Sequence, residues 1–202
     1  MQLKSDCIAR RLFPLLLLVS AFVLDSCKKG DNDPAISFRT RKNRLTGEWR
    51  LRSGTYKHNT QGTSGPEGYH VKFTESQYTY VVDIPGSIYT GAAQGPYSRT
   101  MSFKKDGYVR IVELIDGFEY VTEGTWDFNS GVGDEKSKEL VTIHFTYYSS
   151  SSGTQTYGGN QKQLTYTITE LRNKKLVLNM KDQMTDVDGT REDISETIEL
   201  KQ

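Results

Sequence analysis

The sequence predicts an all-β chain folded as an antiparallel up-and-down β-barrel of eight to ten strands. Three observations predict it. Beyond residue 45, apolar and aromatic residues recur at every second position, the period of a strand with one buried face. Asp106-Gly107 and Asp116-Gly117 separate consecutive apolar runs, and this pair suits a tight hairpin turn whose two central residues take positive φ. No stretch after the N-terminal leader carries a helical apolar stripe. A flat meander of this length would expose two edges and an apolar face, and closure removes both. A two-sheet β-sandwich satisfies the same alternation and is the alternative architecture.

Composition agrees with one such domain. The 202 residues are 35% apolar with a formal net charge of +1. Near neutrality excludes a basic nucleic-acid binder, and the length excludes a two-domain enzyme of ordinary size. Sixteen of the apolar residues lie in the first 26, so the rest of the chain is poor in aliphatics. Twelve Tyr and two Trp, all beyond the leader, supply the missing area at roughly 150–250 Å² each.

At the N-terminus, Lys4, Arg10 and Arg11 precede an apolar run from Leu12 to Leu24, broken by Pro14 and Ser20. This run falls short of the roughly 20 residues that cross a bilayer, which marks a secretory signal segment. Leu24-Asp25-Ser26-Cys27 resembles a bacterial lipobox, with Asp25 departing from the usual pattern. That resemblance implies cleavage before Cys27 and a lipid on its sulfur. Residues 1–26 are then signal peptide, 27–44 the lipidated Cys27 and a flexible polar tether, and 45–202 the barrel. Cys7 leaves with the signal, so the folded domain holds no thiol. Two or three acyl chains anchor a protein stably without crossing the membrane. The expected location is the bacterial outer membrane, lipid-anchored and either periplasmic or surface-exposed. The charged stretch from Lys28 to Asp33 is similar to the export signal of surface lipoproteins. Arg39, Arg41, Lys42 and Arg44 close the tether, as a solvated run or as a contact for anionic head groups.

Ten strands follow in order: Gly47–Tyr56, Tyr69–Thr74, Gln77–Ile84, Tyr97–Lys104, Tyr108–Ile115, Phe118–Phe128, Leu140–Tyr148, Lys162–Leu171, Lys175–Lys181 and Arg191–Leu200. Phe118, Tyr120, Trp126 and Phe128 share a face opposite Glu119, Glu123 and Asp127; Leu164, Tyr166 and Ile168 oppose Thr165, Thr167 and Thr169. Asn173-Lys174 and Asp188-Gly189 read as further turns. The longer connections, Ser53–Gly68, Pro85–Pro96, Asn129–Lys138 and Ser149–Asn160, are rich in turn residues, and the Ser149–Ser152 run is flexible filler by composition.

Leu45-Thr46-Gly47-Glu48-Trp49 is similar to the Gly-x-Trp signature that opens the lipocalin fold, and Gly124-Thr125-Trp126 repeats it. With Phe103 to Gly107, Ile168-Thr169-Glu170-Leu171 and Leu176-Val177-Leu178, the chain looks like the lipocalin-like domains of bacterial lipoproteins. The resemblance implies the barrel and an anchored location, usually with no assigned activity. It carries over no ligand residues.

No metalloprotease, P-loop, nucleophile-elbow or dinucleotide motif is present, so the chain is expected to be non-enzymatic and to need no cofactor or metal. His58, His70 and His144 lack metal-ligand spacing and read as surface or loop histidines. Asp186-Val187-Asp188-Gly189 with Glu192 reads as a hairpin turn rather than a calcium loop. Most carboxylates alternate with core residues and read as solvated faces. Trp49, Tyr78, Tyr80, Tyr120, Trp126 and Tyr166 point with the core and are the candidate lining of a pocket for a small lipid-like or aromatic ligand. The competing expectation is a filled barrel that shows Tyr89, Tyr97, Tyr148 and Tyr157 to a protein partner in the envelope. No nucleic-acid partner is expected.

Overall fold

A computed structural model describes residues 40–62, 65–83, 91–130, 139–158, 162–185 and 189–202. Residues 1–26, expected to be signal peptide, Cys27, Tyr89 and residues 186–188, expected to be part of a turn, lie outside the described residues. The chain is all-β apart from one short helix. In order, the elements are α1 Arg41–Leu45, β1 Gly47–Gly62, β2 Gly65–Thr74, β3 Gln77–Asp83, β4 Ala92–Phe103, β5 Tyr108–Ile115, β6 Phe118–Ser130, β7 Glu139–Ser150, β8 Gly153–Thr156, β9 Gln163–Arg172, β10 Lys175–Thr185 and β11 Arg191–Lys201.

Antiparallel neighbours run from β6 through β1 to β11 and on to β7, and the β6–β7 pairing shuts the ring. Ten strands form the closed barrel, which settles barrel against sandwich. The eleventh, β8, folds back on Tyr147–Ser150 at the end of β7, where filler was expected. Strand pairing here overrides a Ser-rich composition, as it does along the expected Ser53–Gly68 connection, most of which is β1 and β2.

The ring is not uniform. Gly47–Arg50 of β1 pairs directly with Phe103–Thr100 of β4, so eight strands close one end. Beyond a register shift between Leu51 and Ser53, β1 turns to β2, and Ala92–Pro96 of β4 pairs with β3. The β2–β3 hairpin thus wedges into the wall and widens the other end to ten strands. We call the eight-stranded end the base and the other the mouth.

The base is filled. Trp49, Phe103, Leu171, Leu176, Leu178 and Leu200 are each at most 1% exposed. Trp126 meets Phe103 and Phe128 edge-on, with ring centroids 5.6 and 5.5 Å apart. Helix α1 covers this end. Thr40 caps it by accepting from the Asn43 N–H, Leu45 is fully buried, and Trp49 Nε1 donates to the Leu45 carbonyl at 2.7 Å. Arg44 donates to the Leu171 carbonyl, Arg41 pairs with Glu139, and the Lys42 ammonium lies 5.7 Å from the Trp126 ring centre. Residues 41–44, expected to close a flexible tether, are therefore helix packed against the base. Three of the four basic residues placed on that tether sit against the base, because strand-end acceptors and an aromatic face are there to receive them.

At Asp116-Gly117 both central residues take positive φ, 53° and 85°, as the two-residue hairpin requires. At Asp106-Gly107 only the glycine does, and its N–H donates to the Lys104 carbonyl, so that turn starts earlier than the sequence suggested. Gly124 sits at the β6 bulge against β7, and a Cβ there would overlap the His144 carbonyl oxygen.

Candidate functional site: the barrel mouth

Alternation along β4 aims Tyr97, Arg99, Met101 and Phe103 inward. Arg99 falls where β4 leaves β1 and joins β3, the plane at which the barrel widens. Its Nε and Nη2 donate to Glu113 Oε1 of β5 at 2.9 and 2.8 Å, and Nη1 donates to Glu196 Oε1 of β11 at 2.7 Å. Tyr97 OH donates to Glu113 Oε1 at 2.5 Å, and Tyr166 OH from β9 donates to Glu196 Oε2 at 2.7 Å. Five side chains from four strands thus form one network across the interior. Arg99 is 14% exposed and Glu196 5%, so removal of either charge partner would strand the other away from water.

The protonation states follow from the contacts. Burial penalises the Arg99 cation, but the facing Glu113 and Glu196 carboxylates outweigh it and hold the guanidinium charged. Burial pushes the Glu113 carboxyl up, and the opposing pull of Arg99 with hydrogen bonds from Tyr97 and Arg99 brings it below the ordinary value. Burial first, then neighbouring carboxylates, raises Tyr97 and Tyr166 far above the usual phenol range. Higher in the mouth, burial and the adjacent Tyr69 raise Tyr56, with Glu196 and Glu192 adding to the effect.

Two cavities flank the network. The smaller, about 230 Å³, is walled by Met101, Thr122, Phe145, Tyr157 and Tyr166 among others. The larger, about 360 Å³, is walled by Val71, Phe73, Tyr78, Tyr80, Ala93 and Ile115. Arg99 and Glu113 belong to both walls.

Of the residues singled out in the sequence, Tyr78 and Tyr80 line the larger cavity and Tyr166 the smaller. Tyr120 stands directly opposite Glu113 in register and lines neither of these cavities. Trp49 and Trp126 lie in the filled base, where each indole N–H donates to a backbone carbonyl, of Leu45 and Lys104 respectively. Tyr97, placed among partner-facing tyrosines, is 4% exposed and belongs to the interior. Tyr148 and Tyr157 line the smaller cavity.

Sequence reasoning missed Arg99, Glu113 and Glu196. Their signal was present: each charge sits at a core-facing position with apolar residues two places to either side, Tyr97 and Met101, Ile111 and Ile115, Ile194 and Ile198. Reading carboxylates as a solvated face holds for Glu119 and fails for these two. His58 also lies in the mouth, 3.4 Å from Glu192, whereas His144 meets Asp127 at 3.3 Å. Among the described residues, no three His, Cys, Asp or Glu side chains gather as a metal site would need. No protein-family model matches the chain, and no curated protein matches it.

Proposed function

We propose that the chain is a lipid-anchored, lipocalin-like binding protein of the bacterial outer membrane that holds a small, partly apolar ligand in its barrel mouth and catalyses no reaction. The observation that carries this reading is the pair of aromatic-walled cavities flanking Arg99 and Glu113, opposite a filled base. Apolar walls with a few convergent polar groups suit retention and orientation of a small molecule. The same groups are poorly set for proton transfer. A permanently charged guanidinium, a carboxylate held below its usual value and two phenols held above theirs leave none of these poised near neutrality.

The anchor fits this arrangement. Thr40 enters at the base, thirteen residues after Cys27, a length that spans at most about 45 Å when extended. A lipid on Cys27 would attach the domain to the membrane from its base end and leave the mouth free of the linker. Native mass spectrometry of chain purified from membranes and exposed to a lipid extract tests the ligand. A retained adduct that disappears in Ala93→Trp, which fills the larger cavity, is expected; absence of any adduct overturns the reading. Cys27→Ala tests the anchor: the protein should leave the membrane fraction, and an unchanged pellet refutes lipidation.

A further inference from the structure

We propose that the larger cavity selects an organic cation, an alkylated ammonium carried on a small apolar body. This inference rests on the binding reading above and adds the ligand's charge. Three observations converge on it.

The first is the unequal use of the Glu113 carboxylate. Tyr97 OH and both Arg99 donors converge on Oε1, and among the described residues no donor reaches Oε2. Glu113 forms part of the cavity wall, and Arg99 holds it ionised. An ionised carboxylate therefore belongs to the cavity wall, and one of its two oxygens has no donor among the described residues.

The second is charge. One guanidinium faces two carboxylates in the network, Glu113 and Glu196. Tyr78 of the cavity wall donates through its OH to Asp116 Oδ2 at 2.9 Å, which brings a third carboxylate next to the wall. Among the described residues of the cavity wall, Arg99 is the one basic group, and each of its three nitrogens already donates to a carboxylate. An anion would have to displace one of those carboxylates and leave it unpaired in the interior. A cation only has to approach.

The third is the aromatic wall. Phe73, Tyr78, Tyr80 and Tyr97 surround the cavity, with Phe73 and Tyr97 ring centres 4.6 Å apart. Ring faces carry negative potential and attract desolvated cations, quaternary ammonium groups above all. The protein already uses one of these rings in this way, since the Arg99 guanidinium carbon lies 6.0 Å from the Phe73 ring centre. A carboxylate at the back of an aromatic enclosure favours positive charge and leaves hydrogen-bond donors on the ligand optional.

Titration calorimetry on the full chain with three probes of similar shape tests the inference: phenyltrimethylammonium, its neutral isostere tert-butylbenzene, and benzenesulfonate. The cation should bind at least about tenfold more tightly than the neutral isostere, and the anion more weakly than both. Glu113→Gln should bring the cation to within about twofold of tert-butylbenzene while leaving the neutral probe unchanged. Should Glu113→Gln fail to fold, judged by circular dichroism, Tyr80→Leu gives the second measurement. It keeps the wall apolar and should cut the cation's affinity about fivefold with little change for the neutral probe. Equal affinity for cation and neutral isostere in the wild type, or tighter binding of the anion, overturns the cation inference and leaves the binding reading standing. Failure of all three probes to bind overturns both.

Discussion

Arg99→Met removes the centre of the interior network while keeping an unbranched apolar stem at the position. The loss should be electrostatic. Three donor contacts of 2.7–2.9 Å disappear, and Glu113 and Glu196 are left facing each other, 25% and 5% exposed. Breaking a buried pair by deleting one partner costs about 3–5 kcal/mol, most of it the penalty on the charge left behind. Arg99 is well below a third exposed, so solvent screening discounts this little. The pH dependence fixes the cause. In the wild type the Glu113 carboxyl is lowered, so its stabilising contribution is complete above the ordinary carboxylate range and is lost as pH falls through the lowered value. In the variant the two carboxylates face each other with no cation, their affinity for protons rises, and stability grows as pH falls. The gap between the proteins should therefore shrink from about 3–5 kcal/mol at neutral pH to about 1 kcal/mol near pH 4, the residue of imperfect packing. Urea denaturation followed by fluorescence of Trp49 and Trp126, both in the base, measures it. A gap that stays constant with pH would show that packing dominates, and a gap under about 1 kcal/mol at neutral pH would show that water already screens the network. Replacing the whole network, Arg99→Met with Glu113→Leu, Glu196→Leu, Tyr97→Phe and Tyr166→Phe so that no hydroxyl is left without its acceptor, should recover most of the loss, since paired burial by itself contributes little.

Leu45→Ala, at the fully buried end of α1, should lower stability by about 2–5 kcal/mol in the same denaturation assay, and a smaller loss would mean that α1 does not seal the base. Gly124→Ala should cost at least about 2 kcal/mol because the new methyl meets a backbone carbonyl of the paired strand, whereas Gly158→Ala, with open space around it, should change stability by less than about 0.5 kcal/mol. Spectrophotometric titration should find Tyr56, Tyr97 and Tyr166 still protonated in the folded chain where exposed phenols have ionised, and Tyr→Phe substitution at each should leave the ordinary-range amplitude unchanged.

Period-two alternation carried most of the fold into view. Tyr108–Ile115 has its observed boundaries, and the other nine expected strands overlap the observed ones, because pairs such as Trp126 with Phe128 and Leu176 with Leu178 alternate without interruption. What lacked a sequence signal depended on partners. Ala92–Pro96 is strand only because β3 lies beside it, Gly65–Gly68 because the end of β1 does, and Gly153–Thr156 because β7 does. Helix α1 was illegible because five residues cannot hold a helix without the base to receive Leu45. In the site, tyrosines could be placed on the inner face but not at a height along the barrel, which is why Trp49 and Tyr80 read alike although one seals the base and the other walls a cavity. Arg99, Glu113 and Glu196 were hidden by treating a charge as proof of exposure. Their register two residues from core positions was the better guide, since register fixes the face and partners then decide whether a charge can stay there.

The position of that network follows from the geometry of the ring. The interior of an eight-stranded barrel is small enough for side chains alone to fill, and diameter grows about linearly with strand number, so ten strands give a cross-section roughly half again as large. The Trp49, Phe103 and Leu200 layer occupies the eight-stranded base, each side chain at most 1% exposed. The same residue sizes placed one level higher would leave a gap, and the widening begins where β1 and β4 part, beside Leu51 and Tyr97. An apolar residue at position 99 could not reach across that wider section to β11. An arginine can, and it ties β4 to β5 and β11 through Glu113 and Glu196 while leaving space on both sides. The cavities are thus a consequence of inserting β2 and β3 into the wall, and the network spans the section that side-chain packing alone no longer closes. An eight-stranded section can be filled by side chains or hold one small ligand; in this chain Trp49, Phe103 and Leu200 take the first course at the base, and the buried charges stand where the wall widens.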